Sequence, residues 1–119
     1  MSAWVERRLE LIERELPYFE DPGRYLVLLR DMAREQWEEA RVFIFGSWVR
    51  GEARPGKSDI DVAVVSPKAP RRVHEKSEFI CEFLRRIGDL TAPFEIHVLR
   101  PEEWENYYQP FVKEDWREI

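Results

Sequence analysis

Cysteine occurs once in the 119 residues, asparagine once (Asn106), and glutamine and histidine twice each. A lone Cys81 excludes an internal disulfide and any zinc cage built from several thiolates. Its helical spacing to Ile80, Leu84 and Ile87 predicts a small buried hydrophobe. No stretch approaches the roughly 18–20 consecutive apolar residues that span a bilayer. The amino-terminal residues scatter acids where a secretory signal needs an apolar segment of ~7–15 residues. These absences predict a cytoplasmic protein with no membrane segment. A basic surplus is lacking too, since 19 Lys+Arg stand against 24 Asp+Glu for a net charge of −5. That balance argues against a general nucleic-acid binder, which must neutralise phosphates. Few side-chain amides beside 36% charged residues is the bias associated with thermophiles.

What is present suffices for one core. At 44% hydrophobic the chain is too apolar for a disordered tail, and its length matches one domain of about 100–150 residues. We therefore expect a single domain over 1–119, with helices in 1–40, a sheet-bearing core in 41–99, and a short helix and tail in 100–119. Val5, Leu9, Ile12 and Leu16 form one helical stripe that Pro17 should end. Asp21-Pro22 reads as an N-cap with proline at the first helical position, opening a helix toward Ala40 whose inner face carries Leu29, Met32, Ala33, Trp37 and Ala40. Residues 41–45 and 59–65 are short apolar runs rich in β formers, and 93–99 reads as a third strand. Between the first two, 47–52 suits a short helix and 53–58 a loop with its Pro-Gly pair. Residues 73–87 form a long helix stopped by Gly88, and Pro101 opens a short one. The order predicts an α/β (α+β) domain, a small mixed sheet with helices on one face.

Asp59 and Asp61 are the most informative pair. Two residues apart on a strand, they share a face, with attachment points about 6.5–7 Å apart, a spacing from which carboxylates can converge on a hard divalent cation. Ile60, Val62 and Val64 face the core, leaving the acids on a side open to solvent or ligand. Taken alone, Asp-x-Asp at a strand start also fits a pair that merely solvates a sheet edge. Gly46-Ser47 lies where a strand turns into a helix, a junction that points backbone N–H groups outward toward an anion. Glycine permits close approach, the Ser47 hydroxyl can donate, and Arg50 can reach the same region. A phosphate-cradling turn followed by two metal-capable acids suits transfer chemistry on a nucleotide phosphate.

The run Gly46-Ser47-Trp48-Val49-Arg50-Gly51, followed by Lys57-Ser58-Asp59-Ile60-Asp61-Val62, resembles the signature of the nucleotidyltransferase superfamily that includes DNA polymerase beta. It looks most like the minimal nucleotidyltransferase branch, over residues 42–99. The resemblance implies a polymerase-beta-palm-like fold in which Gly46 and Ser47, with Arg50 and Ser58, hold a nucleoside triphosphate, and Asp59 and Asp61 bind catalytic Mg²⁺. Eleven residues separate Ser47 from Asp59, one more than the commonest spacing in this branch, which lengthens the loop at 54–57. The family also uses a third carboxylate on a later strand as a metal ligand or as an aid to deprotonating the attacking hydroxyl. Glu95 is the candidate here, although Asp is usual at that place. Its alternative is a salt bridge to an arginine. His97 shares its strand face and would touch the nucleotide or a proton, or else serve as an ordinary structural histidine. His74 reads as surface.

By that resemblance, two Mg²⁺ ions and ATP are the cofactor and donor, AMP passes to an acceptor hydroxyl, and pyrophosphate leaves. About 20 residues follow the third strand, too few for the helical domain of antibiotic adenylyltransferases, so the acceptor is held elsewhere. Minimal nucleotidyltransferases are partners of HEPN proteins in toxin–antitoxin pairs, which implies a hydroxyl on a helical HEPN partner as acceptor, in a homo- or hetero-oligomer. Two other readings stay open: a module that neutralises a toxin stoichiometrically, and a small-molecule adenylyltransferase with a separate substrate-binding subunit. The tail carries Trp104, Tyr107, Tyr108, Phe111 and Trp116, five of sixteen aromatics, as core or as interface.

Overall fold

The computed structural model describes residues 2–119 and builds a four-stranded mixed sheet in the order β3-β2-β1-β4. Its strands are β1 (Arg41–Phe45), β2 (Ile60–Val65), β3 (Phe94–Leu99) and β4 (Trp116–Glu118). β1 runs antiparallel to both β2 and β4, whereas β2 and β3 are parallel. Parallel neighbours need a crossover, and α3 (Val73–Ile87) supplies it. α1 (Ala3–Glu20) and α2 (Gly23–Gln36) precede the sheet. After β3 a helical segment runs through α4 (Pro101–Glu103), a π-helical turn (Trp104–Tyr108) and α5 (Gln109–Val112). No helix among the described residues is long and apolar enough to cross a membrane.

The period-two pattern of the strands sorts the core into two clusters. Val42, Ile44, Ile60, Val62, Val64 and Val98 face the long helices and pack with Leu26, Leu29, Met32, Phe79 and Phe83. Phe43, Phe45, Ala63, Val65 and Leu99 point the other way, where Trp104 covers them with Tyr108, Val112 and Trp116 at its edge. The long helices thus occupy one face, as the pattern predicts. The side expected to be open is closed over most of its length by the aromatic tail, and only its far end is left to the acids.

Several local expectations are corrected. α1 continues through Pro17 to Glu20. Proline inside a helix costs about 3 kcal/mol, but the extra turn buries Tyr18 and Phe19, and the Asp21 N–H closes onto the Pro17 carbonyl at 3.2 Å. The stripe predicted on α1 is only partly used, with Leu9 and Leu16 exposed. α2 stops at Gln36 instead of reaching Ala40. Its start is capped much as expected, the Arg24 N–H donating to Asp21 Oδ1 at 3.3 Å. Trp37 leaves the helix in extended conformation and lays its ring 4.5 Å from that of Phe79. On α3, Phe79 and Phe83 take the buried positions, so Cys81 is exposed rather than core. A helix shows the core only a narrow stripe, and these larger rings claim it.

Candidate active site

The site lies at the end of the sheet where β2 and β3 begin and β1 finishes. Register does most of the assembly: Asp61 pairs with Glu95 across the parallel strands, and with Phe45 on the other side. Ala63 pairs with His97 one step further along. Side chains two apart share a face, so Asp61, Glu95 and His97 stand together on the second face of the sheet. One ligand atom from each lies within 4.8 Å of the other two.

Like charges set side by side across strands repel, and Asp61 is half-buried. Burial pushes the Asp61 carboxyl up to about 6, assisted by Glu95 and then by Asp59, while Arg50 alone pulls it down. Such a pair is satisfied by a shared proton or by a cation. His97 Nε2 stands 3.8 Å from Glu95 Oε1, and burial lowers its pKa against the pull of Glu95. Its other ring nitrogen, Nδ1, is 3.2 Å from the Tyr108 hydroxyl.

Gly46 completes the wall. It adopts φ +80°, and a Cβ there would stand 2.8 Å from Asp61 Oδ2. Its absent side chain is what lets the turn lie against the carboxylate. Its N–H is not an anion donor, because it donates to the Asp115 carbonyl at 3.0 Å. The helix expected over 47–52 is only a 3₁₀ turn, Gly46–Trp48, followed by the Glu52 N–H donating to the Ser47 carbonyl at 2.9 Å. The dipole argument therefore shrinks to a single turn. That turn is pinned from outside by Trp48 Nε1, which donates to the Phe19 carbonyl at 2.8 Å.

The remaining predicted residues fall nearby in different roles. Asp59 precedes β2, is exposed, and is not one of the three clustered ligands, though its charge is felt at Asp61. Arg50 pairs with Glu52 at 3.0 Å and Asp115 at 3.5 Å. Ser47 is half-buried at the turn. The Ser58 hydroxyl accepts from the Arg54 N–H at 3.0 Å, closing the lengthened loop on itself. Glu15 holds that loop to α1, accepting from the Gly56 N–H at 2.8 Å. Glu95 has no arginine partner among the described ion pairs; His97 takes that place. Tyr108 carries no motif that marks it for the site, and only its spacing from Trp104 hints that it belongs to a packed face. His74 is exposed and pairs with Glu78.

The donor set fits a divalent cation: two adjacent carboxylates, an imidazole nitrogen and an uncharged glycine wall. Glu95 and Asp59 are exposed and Asp61 is half-buried at this end of the sheet, so a second molecule can reach them.

Comparison with known proteins supplies a family and a fold. Residues 26–118 match the family described as nucleotidyltransferase domain. A crystal structure of a protein provisionally assigned as a nucleotidyltransferase aligns at 29% identity and TM-score 0.53, over 79% of this chain and 96% of that one. A second such protein, from Sulfolobus solfataricus, aligns at 18% identity and TM-score 0.55, over 99% and 86%, and speaks for the fold. No curated protein matches.

Proposed function

Since the chain belongs to the nucleotidyltransferase domain family, we propose that it transfers a nucleotide, AMP from ATP, to an acceptor hydroxyl with Mg²⁺ as cofactor. The observation that carries this reading is the Asp61–Glu95 pair held across parallel strands against a side-chain-free Gly46. Asp61 and Glu95, with Asp59 close by, are the residues to hold the metal, which when bound neutralises charge on the triphosphate. The Gly46-Ser47 turn and Arg50 are the residues to position that triphosphate. Transfer forms a bond from the acceptor oxygen to the α-phosphorus and breaks the bond to the bridging oxygen of the β-phosphate, so pyrophosphate leaves. The acceptor proton passes to a base, for which Glu95, exposed on β3 beside Asp61, is our candidate.

The open rim supports an acceptor carried by a separate molecule, and the family resemblance makes a HEPN-type helical partner protein our proposal for it. Incubating the chain with α-labelled ATP, Mg²⁺ and the product of the neighbouring gene tests both steps. Label should move to the partner, and Asp61→Asn should abolish transfer. Protection from a toxin that survives Asp61→Asn would favour the stoichiometric binding module.

A further inference from the structure

We propose that His97 is the nitrogen ligand of the metal site, oriented by Tyr108, and that the site consequently holds manganese(II) more tightly than magnesium. The inference rests on the reading of the Asp61–Glu95 rim as a cation site and adds its third ligand and its metal preference.

Placement comes first. Ala63 sits beside His97 in the register and offers only a methyl group. The imidazole ring stands 5.8 Å from the Phe45 ring and 5.3 Å from that of Tyr108. Two atoms bound to one ion at ~2.2 Å can be no more than about 4.4 Å apart; Nε2 and Glu95 Oε1, at 3.8 Å, meet that limit, and the set of three, within 4.8 Å of one another, needs at most a few tenths of an ångström of closure about an ion.

Orientation comes from the tail. A histidine that ligates a metal through one nitrogen nearly always uses the other in a hydrogen bond that fixes its tautomer. With the proton on Nδ1, the ring donates to the Tyr108 oxygen at 3.2 Å and turns the Nε2 lone pair to the acids. Tyr108 is held in place by the π-helical turn, whose other end, Trp104, is 4% exposed and stacks on Phe43 at 5.0 Å. The Trp104 and Tyr108 rings stack in turn at 6.0 Å. Burial of Trp104 thereby fixes a hydroxyl above the site, and π-helical turns are frequent at functional sites.

Preference follows from ligand chemistry. Magnesium favours oxygen donors and retains water, whereas imidazole suits first-row transition ions; manganese(II) belongs to that row and also takes the carboxylates that magnesium takes, so a site of two acids and one nitrogen should favour it over magnesium.

The test uses the metal-free full chain. Titration with Mn²⁺ and Mg²⁺ by calorimetry should give at least a tenfold preference for Mn²⁺, and pulsed EPR of the Mn²⁺-loaded chain should show ¹⁴N coupling that changes on ¹⁵N-histidine labelling. His97→Gln should remove the coupling and collapse the preference. Tyr108→Phe should keep the coupling but weaken Mn²⁺ about tenfold. Bound Mn²⁺ without nitrogen coupling, an unchanged preference in His97→Gln, or no Mn²⁺ binding would each overturn the proposal. The wild-type spectrum decides even if a variant fails to fold. Label transfer from ATP is measured separately. Coupling without transfer removes the functional reading alone, and transfer without coupling removes this inference alone.

Discussion

Gly46 and Asp61 are locked together: a methyl group on the glycine would come within 2.8 Å of the carboxylate oxygen, at a backbone φ of +80° that L side chains rarely adopt. Gly46→Ala should therefore displace Asp61 as well as strain the turn. We expect a loss of about 1–2 kcal/mol in stability from the left-handed backbone. Mn²⁺ affinity should fall at least tenfold, read by denaturant unfolding and calorimetry on the same sample. Unchanged metal affinity would show that the turn does not hold the carboxylate.

Asp61 gives the chain a signature in pH. Its carboxyl holds a proton up to about 6, above the ordinary value of 3.8, mainly because of burial and then Glu95. The folded state thus binds that proton more tightly than the unfolded one. The stability it brings is complete below about pH 4 and is lost as pH rises through 6. Asp61→Asn, which carries no charge, should match the wild type near pH 4 and exceed it at pH 7–8 in metal-free buffer. Allowing for solvent screening of a half-exposed group, the gain is about 1 kcal/mol, or roughly 4 °C in Tm. Saturating divalent metal should reverse the order, since only the wild type keeps its ligand. Thermal melts across pH, with and without metal, check both halves.

The tail aromatics divide into two groups. Trp104 is buried against Phe43 and Phe45, whereas Tyr107 and Phe111 are 69% and 84% exposed. Trp104→Ala should cost about 3–5 kcal/mol and lower Tm by roughly 10–20 °C. Tyr107→Ser with Phe111→Ser should leave Tm within about 2 °C, since surface substitutions shift stability little. Equal losses from both would mean that the exposed pair is also core.

The lengthened loop is held by a buried acid. Glu15 is 8% exposed and accepts from the Gly56 N–H, and Gly56 packs directly on Ile12. Glu15→Ala should leave that N–H without its partner, costing about 1–3 kcal/mol. Faster amide exchange at Gly56 and its neighbours, with exchange in β2 unchanged, would identify the loss as local.

Much of this was written along the chain. Periodicity located β1, β2, β3 and α3 to within a residue or so, because each buries a continuous apolar face that a short window reveals. The acids of 59–61 and the glycine of the turn stood out for the same local reason. β4 escaped notice because three residues pairing at an edge carry no period of their own, and Pro17 misled because its cost is offset by rings buried beyond it.

Local order in the chain determined which residues were candidates: an Asp-x-Asp at a strand start, a Gly-Ser bend, and a carboxylate and a histidine two apart on a later strand. Tertiary structure alone decided how they combine. Cross-strand register set Asp61, not Asp59, beside Glu95, and burial of Trp104 swung Tyr108 over His97. Both outcomes depend on segments distant in sequence settling against one another, so that packing and strand pairing, which no local window contains, choose the neighbours.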